Sequence, residues 1–200
     1  MSALFVERGY GQVEANRLSG ITFGNIEAQA PAYMKDAAGA FKPIPELENG
    51  MFLCVIADTS EALAGAGLGR IAVLPGDVPA DQEETCTPYL VYSERKQYDE
   101  REMYCDFVDK AADKVDGLLF PKLIGMTPDS DVYTTNTLNN AKHTASVPTV
   151  AVGDVFYVGD DGYLTKTAAK NKVYCFEVSK VYTMPDNQTG IKLQCKRYHA

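Results

Sequence analysis

Val155-Phe156-Tyr157-Val158, then Gly159-Asp160-Asp161-Gly162, then Tyr163-Leu164-Thr165 is the stretch of this sequence that decides its fold class. Two short runs rich in β-branched and aromatic residues flank a turn of Gly and Asp, which is the pattern of a β-hairpin. Working outward, Val173 to Tyr182 reads as a strand with Tyr174, Phe176, Val178 and Tyr182 on one face. Pro185 to Gly190 is a turn, and Ile191-Lys192-Leu193-Gln194-Cys195-Lys196 alternates apolar with polar, the mark of a half-buried strand. Upstream, Met51-Phe52-Leu53-Cys54-Val55-Ile56-Ala57 is a continuous apolar run and reads as a short buried strand. Arg70-Ile71-Ala72-Val73-Leu74, closed by Pro75-Gly76, is a second strand in this region, and Tyr89-Leu90-Val91-Tyr92 a third. Many short strands at close spacing predict a mainly β protein, with a β-rich α+β variant open, built as a small antiparallel barrel or sandwich.

Three regions follow from the same pass. Residues 1–50 are rich in Gly, Ala, Pro and Asn and read as an extended N-terminal arm. Pro43 and Pro45 hold extended backbone there, and the Ala-rich stretch 28–40 allows a short turn of helix. Leu4, Phe5, Val6, Leu18, Ile21 and Phe23 are spaced along this arm as apolar anchors, too many for a linker, and an arm so equipped is expected to lie on a neighbour. Residues 51–141 form a β-rich region with a charged excursion near 93–116, legible either as a helix carrying Tyr104 and Phe107 three apart or as an exposed loop. Residues 142–200 form a C-terminal antiparallel β-region.

Charge divides along similar lines. The chain has 200 residues, 27 acidic and 19 basic, for a net −8. Residues 1–141 carry 22 acidic and 11 basic side chains, net −11, and residues 142–200 carry 5 acidic and 8 basic, net +3. The acidic average argues against a general nucleic-acid binder, which needs a basic face to displace counterions from phosphate. Lys172, Lys180, Lys192, Lys196 and Arg197 gather in the basic region, where strand alternation puts them on an exposed face able to meet an acidic protein surface. The longest apolar runs are far shorter than the roughly 20 residues of a membrane span. Met1 to Arg8 lacks the basic start and apolar core of a signal peptide, so synthesis in a cytoplasm and no membrane partner are expected.

The chemistry-bearing residues are sparse. Cys54, Cys86, Cys105, Cys175 and Cys195 are widely spaced, with no Cys-x-x-Cys pair, and read as free structural thiols rather than a zinc or redox motif. Only His143 and His199 are available as bases, and no nucleophile signature accompanies any Cys, so a cytoplasmic Cys-dependent enzyme is a remote alternative. Gly65-Ala66-Gly67-Leu68-Gly69-Arg70 leads into a strand and lacks the helix start of a phosphate loop. Asp129-Ser130-Asp131 and Asp160-Asp161-Gly162 lack the remaining ligands of a calcium loop. Asn187-Gln188-Thr189, a sequon by pattern, reads as a turn. No catalytic, cofactor-binding or metal site is expected.

Several segments taken in order resemble the small virion structural proteins of tailed phages. They are Phe5-Val6-Glu7-Arg8-Gly9-Tyr10-Gly11-Gln12-Val13-Glu14, Asn16-Arg17-Leu18-Ser19, Leu47-Glu48-Asn49-Gly50-Met51-Phe52 and Val91-Tyr92-Ser93-Glu94. Asp131-Val132-Tyr133-Thr134-Thr135-Asn136-Thr137-Leu138, Val152-Gly153-Asp154-Val155, Asp161-Gly162-Tyr163-Leu164 and Val181-Tyr182-Thr183-Met184-Pro185-Asp186 continue the series. The Gly-Asp-Val and Asp-Gly-Tyr-Leu portions look like the hairpin of small β-barrel capsid decoration (auxiliary or cement) proteins. The resemblance implies a non-enzymatic role, with many copies on the exterior of the virion capsid, the major capsid protein as partner and contacts to itself or other virion proteins. A tail, neck or head-fibre component of the same virion is the alternative it leaves open.

Overall fold

A computed structural model describes residues 13–14, 28–57, 69–83, 86–92, 109–129, 132–135, 149–167, 173–183 and 189–198. The molecule is mainly β. In chain order its strands are β1 (Val13–Glu14), β2 (Ala28–Gln29), β3 (Ala32–Lys35), β4 (Phe41–Pro43), β5 (Glu46–Leu47), β6 (Phe52–Ala57), β7 (Arg70–Val73) and β8 (Pro88–Val91). Then follow β9 (Asp109–Lys110), β10 (Lys122–Ile124), β11 (Val132–Thr135), β12 (Val155–Val158), β13 (Leu164–Thr165), β14 (Tyr174–Thr183) and β15 (Thr189–Arg197). Single 3-10 turns stand at Pro75–Asp77 and Ala111–Asp113. Among the described residues no helix is long and apolar enough to cross a membrane.

Two large sheets organise these strands. One is six-stranded, in the order β1-β11-β15-β14-β12-β13, and antiparallel throughout. The other is seven-stranded, in the order β2-β10-β8-β6-β7-β3-β4, antiparallel except where β3 runs parallel to β7. A two-stranded ladder joins β5 to β9. Among the described residues neither large sheet closes on itself, and the packed sheets are sandwich-like.

Alternation explains how the sheets meet. Ile191, Leu193 and Cys195 of β15 and Tyr174, Phe176 and Val178 of β14 point inward with Phe156, Val158 and Leu164. They pack on Phe52, Leu90 and Met126, which come from the seven-stranded sheet and its flank. Phe52 and Phe176 touch ring to ring across this junction, centroids 5.2 Å apart, and Tyr174 meets Phe176 edge-on at 5.5 Å. The opposite face of the seven-stranded sheet is also covered. Leu53, Ala72, Val91 and Leu123 pack there with Ile44, Leu47, Met51, Leu119 and Tyr163. A third cluster gathers Tyr33, Cys54, Ile56, Ile71, Val73, Val78 and Cys86. A sheet buried on both faces needs strands without alternation, and the unbroken apolar run of β6 supplies one.

The structure revises four expectations. Residues 28–50, assigned to the arm, contain β2 to β5, and Val13–Glu14 pairs with β11, so these parts of the arm belong to the sheets. Within them the turn of helix is replaced by the β3–β4 hairpin. Asp36 Oδ1 accepts the Ala38 and Ala40 N–H groups at 2.9 and 3.0 Å, Gly39 takes φ +83°, and pairing with β7 overrides the helix preference of the Ala-rich sequence. Tyr182 does not share the face of Tyr174, Phe176 and Val178. A β-bulge between Val178 and Lys180 inserts one residue, so Lys180 and Tyr182 leave the core side and Val181 takes the inward register opposite Ile191. Of the charged excursion, residues 109–116 hold β9 and a 3-10 turn; the rest, including Tyr104 and Phe107, lies outside the described residues.

Candidate functional site

Two features stand apart from ordinary core: the outward face of the six-stranded sheet and the loop that locks the two sheets together. The outward face is set by register. Cys175 lies opposite Lys196, Glu177 opposite Gln194 and Lys180 opposite Lys192. Val155 lies opposite Glu177, and Val132 opposite Gln194. Val155 is 38% exposed, and Tyr157, on the same strand, packs edge-on against Tyr198 with ring centroids 5.6 Å apart. The face therefore mixes aliphatic and aromatic side chains with Lys180, Lys192 and Lys196; Arg197, expected with them, lies opposite the inward Tyr174 and so falls in the other register, exposed at the end of β15.

Its charges are unequally satisfied. Lys196 stands 3.8 Å from Asp129 Oδ1 and 3.9 Å from Glu177 Oε2, long and partly exposed pairs of small worth. Lys180 and Lys192 are directly opposite each other at the bulge, a like-charge placement that costs stability in a sheet. Ser179 Oγ donates to the Lys192 carbonyl at 3.1 Å and fixes the bulge that brings the two lysines together. Cys175 donates weakly to the Arg197 carbonyl at 3.8 Å, and burial, followed by the Glu177 carboxylate, raises its thiol pKa. Cys175, read with the other cysteines as a structural thiol, falls between the inward Tyr174 and Phe176 and sits half-buried on the outer side.

The lock is the loop Gly159 to Tyr163. Gly159 N–H donates to the Tyr163 carbonyl at 2.7 Å, closing the turn between β12 and β13. Gly162 carbonyl accepts the Phe52 N–H at 2.8 Å, and Asp160 carbonyl accepts the Gly76 N–H at 2.8 Å. The approach is so close that a Cβ on Gly162, which has φ +83°, would stand 2.7 Å from the Phe52 carbonyl oxygen, and one on Gly76 would stand 2.7 Å from Asp160 Cβ. Tyr163 then enters the far core, where its hydroxyl donates to Glu48 Oε1 at 2.9 Å between two buried side chains. Burial, and next the Glu48 carboxyl, push the ionisation of Tyr163 well above the usual range. Burial also raises the pKa of Asp161 within the turn. Asp154, before β12, is held below the usual carboxylate range mainly by Lys166, which donates to it at 2.7 Å and to the Thr149 carbonyl at 2.8 Å.

The remaining sequence candidates are distributed as follows. Leu4, Phe5, Val6, Leu18, Ile21 and Phe23 lie outside the described residues, as do Cys105, His143, Lys172 and His199. Gly69 takes φ +62° and delivers Arg70 directly into β7, as a loop leading into a strand should. Asp129 takes φ +66°, donates its N–H to the Cys195 carbonyl at 2.7 Å and accepts Gln194 Nε2 on its own carbonyl at 3.4 Å, so it fastens a turn to β15. Among the described residues no three His, Cys, Asp or Glu side chains cluster to hold a metal ion. Sequence reading singled out the Asp-Asp-Gly turn but not its partners Gly76 and Glu48. The only local signal for Glu48 was a charged residue between Leu47 and an apolar strand, which a turn explains equally well. Comparison with known protein families, curated proteins and solved structures finds no match to this chain.

Proposed function

We propose that the protein is a non-enzymatic structural component of a tailed-phage virion, seated as a decoration protein on the outside of the major capsid shell. The ordered series of segments resembling such virion proteins supports this reading. So does a rigid two-sheet body whose outward sheet face is built for contact. The observation that carries the reading is the pairing of Lys180 with Lys192 on that face, beside Lys196. Like charges held opposite one another cost the isolated sheet stability, and an acidic surface seated against them turns that cost into attraction. Val132, Val155 and Tyr157 contribute apolar area at the same seat. The net −8 of the chain disfavours packaged DNA as the partner and agrees with an exterior position. Many weak contacts of one small protein on a repeating shell add by avidity and stabilise the assembled state.

The test is co-sedimentation with shells assembled from the major capsid protein, followed by particle imaging. Saturable binding with density repeated over the shell is expected. The double substitution Lys180→Glu with Lys192→Glu is expected to weaken binding at least tenfold and leave the melting temperature unreduced. Absence from the shell, or density confined to one axis as for a tail or neck protein, overturns the reading.

A further inference from the structure

We propose that Cys54 and Cys86 form an oxidation-triggered disulfide that clips β6 to the approach of β8. The two thiols are 32 positions apart in sequence, yet they share one buried cluster with Ile56, Ile71 and Val73. Cys86 S–H donates at 3.6 Å to the carbonyl of Val55, the residue after Cys54 in β6. Both are free thiols in this structure. Register explains the approach. Cys54 lies opposite Pro88, the first residue of β8, and Cys86 precedes Pro88 by two residues. Disulfides span Cα separations of roughly 4.4–6.8 Å. Cys86 stands outside the strand, its N–H donating to the Gln82 carbonyl at 2.9 Å, so no ladder bond of β8 depends on it.

The two thiols have unequal roles. Cys54 is fully buried inside a central strand, and the neighbouring Cys86 thiol, then burial, raise its pKa. Cys86 is 7% exposed, and the neighbouring Cys54 thiol lowers its pKa. With hydrogen peroxide as oxidant, the Cys86 thiolate attacks one peroxide oxygen, giving a sulfenic acid and releasing hydroxide. The Cys54 sulfur then attacks the Cys86 sulfur, its proton leaves with the departing hydroxyl, and water is released. Two thiols and one peroxide thus give one disulfide and two waters. The bond closes a loop containing β7 and restricts the unfolded chain, so the oxidised protein should be the more stable form. This inference is independent of the capsid reading.

The experiment treats the folded full chain with hydrogen peroxide, blocks remaining thiols with an alkylating agent, digests without reductant and maps peptides by mass spectrometry. The expected product is one cross-linked peptide pair containing Cys54 and Cys86, lighter by two hydrogen atoms than the reduced pair. A rise in the urea midpoint that reverses with reductant should accompany it, and should be absent from Cys86→Ala. Recovery of Cys54 and Cys86 as separately alkylated peptides overturns the proposal. So does a disulfide drawn equally from Cys105, Cys175 or Cys195, or a linked product whose midpoint is not raised. The assignment uses the unsubstituted chain, so it does not depend on the variant folding.

Discussion

Strand β6 buries Phe52, Leu53 and Cys54 in succession, whereas β15 buries Ile191, Leu193 and Cys195 and leaves Lys192, Gln194 and Lys196 partly exposed between them. The first belongs to a sheet covered on both faces, the second to a sheet whose outward side carries charge. The difference assigns the two sheets different work. The seven-stranded sheet holds the molecule together, because both of its faces are committed to core. The six-stranded sheet has its outward side free of that duty over β12, β14 and β15, and so can carry a mixed, basic surface without loss of packing. The loop Gly159 to Tyr163 joins them by crossing from one sheet to the far side of the other.

This contrast can be broken most forcefully in the core. Phe176→Ala is expected to destabilise by about 3–5 kcal/mol, since the ring is fully buried against Phe52, while Glu177→Ala changes stability by only about 0.5 kcal/mol. In β6 no such alternation is expected: Leu53→Ala should cost about 2–5 kcal/mol, comparable with Phe52→Ala next to it. Urea unfolding of the four variants measures this directly. A loss below about 1 kcal/mol for Leu53→Ala would reduce the seven-stranded sheet to the one-sided kind.

The lock gives the next largest effect. Gly162→Ala forces a Cβ to within 2.7 Å of the Phe52 carbonyl at a left-handed φ, and should cost about 1–3 kcal/mol with no apolar area removed. Tyr163→Phe removes the hydroxyl that donates to the buried Glu48 oxygen and should cost about 1–3 kcal/mol at neutral pH. It also changes the alkaline limb. Tyr163 holds its proton in the folded state beyond its ordinary value of 10.0, so its contribution is full below pH 10 and is lost as pH rises further. The stability difference between Tyr163→Phe and the unsubstituted protein should therefore narrow above pH 10 in denaturation series. A constant difference would show that the hydroxyl does not titrate with folding.

The smallest effect has the opposite sign. Lys180→Glu replaces a like-charge neighbour of Lys192 with an attractive one and should stabilise the isolated protein by about 0.2–1 kcal/mol while weakening attachment to an acidic surface. Thermal unfolding at low salt, repeated at high salt where the gain should shrink, measures it. A loss of stability instead would mean that Lys180 is engaged by a group of the chain itself.

Much of this was legible in the residues. The strands β6, β7, β8, β12, β14 and β15 follow from apolar runs, alternation and Gly, Asp or Pro punctuation, and they lie within a residue or two of the expected limits. The short strands β2 to β5, β9, β10 and β11 were not, because two to four residues carry too little pattern to declare a strand and form only where a partner offers its backbone. Tyr182 illustrates a different obstacle. Its inward assignment rested on strict alternation, and one inserted residue at the bulge reversed it.

By itself the sequence determined the mainly β class, the hairpin around Asp160-Asp161-Gly162, the two-sided burial of β6 and the one-sided alternation of β15. Each of these depends on side-chain period and turn chemistry, which are local. Only the tertiary structure decided that Gly162 seats on Phe52, that Tyr163 reaches Glu48 across 115 positions, that Lys180 faces Lys192 and that Cys86 reaches Cys54. Those contacts join residues distant along the chain. They are fixed by which strands pair and in what register, and no local preference encodes that choice.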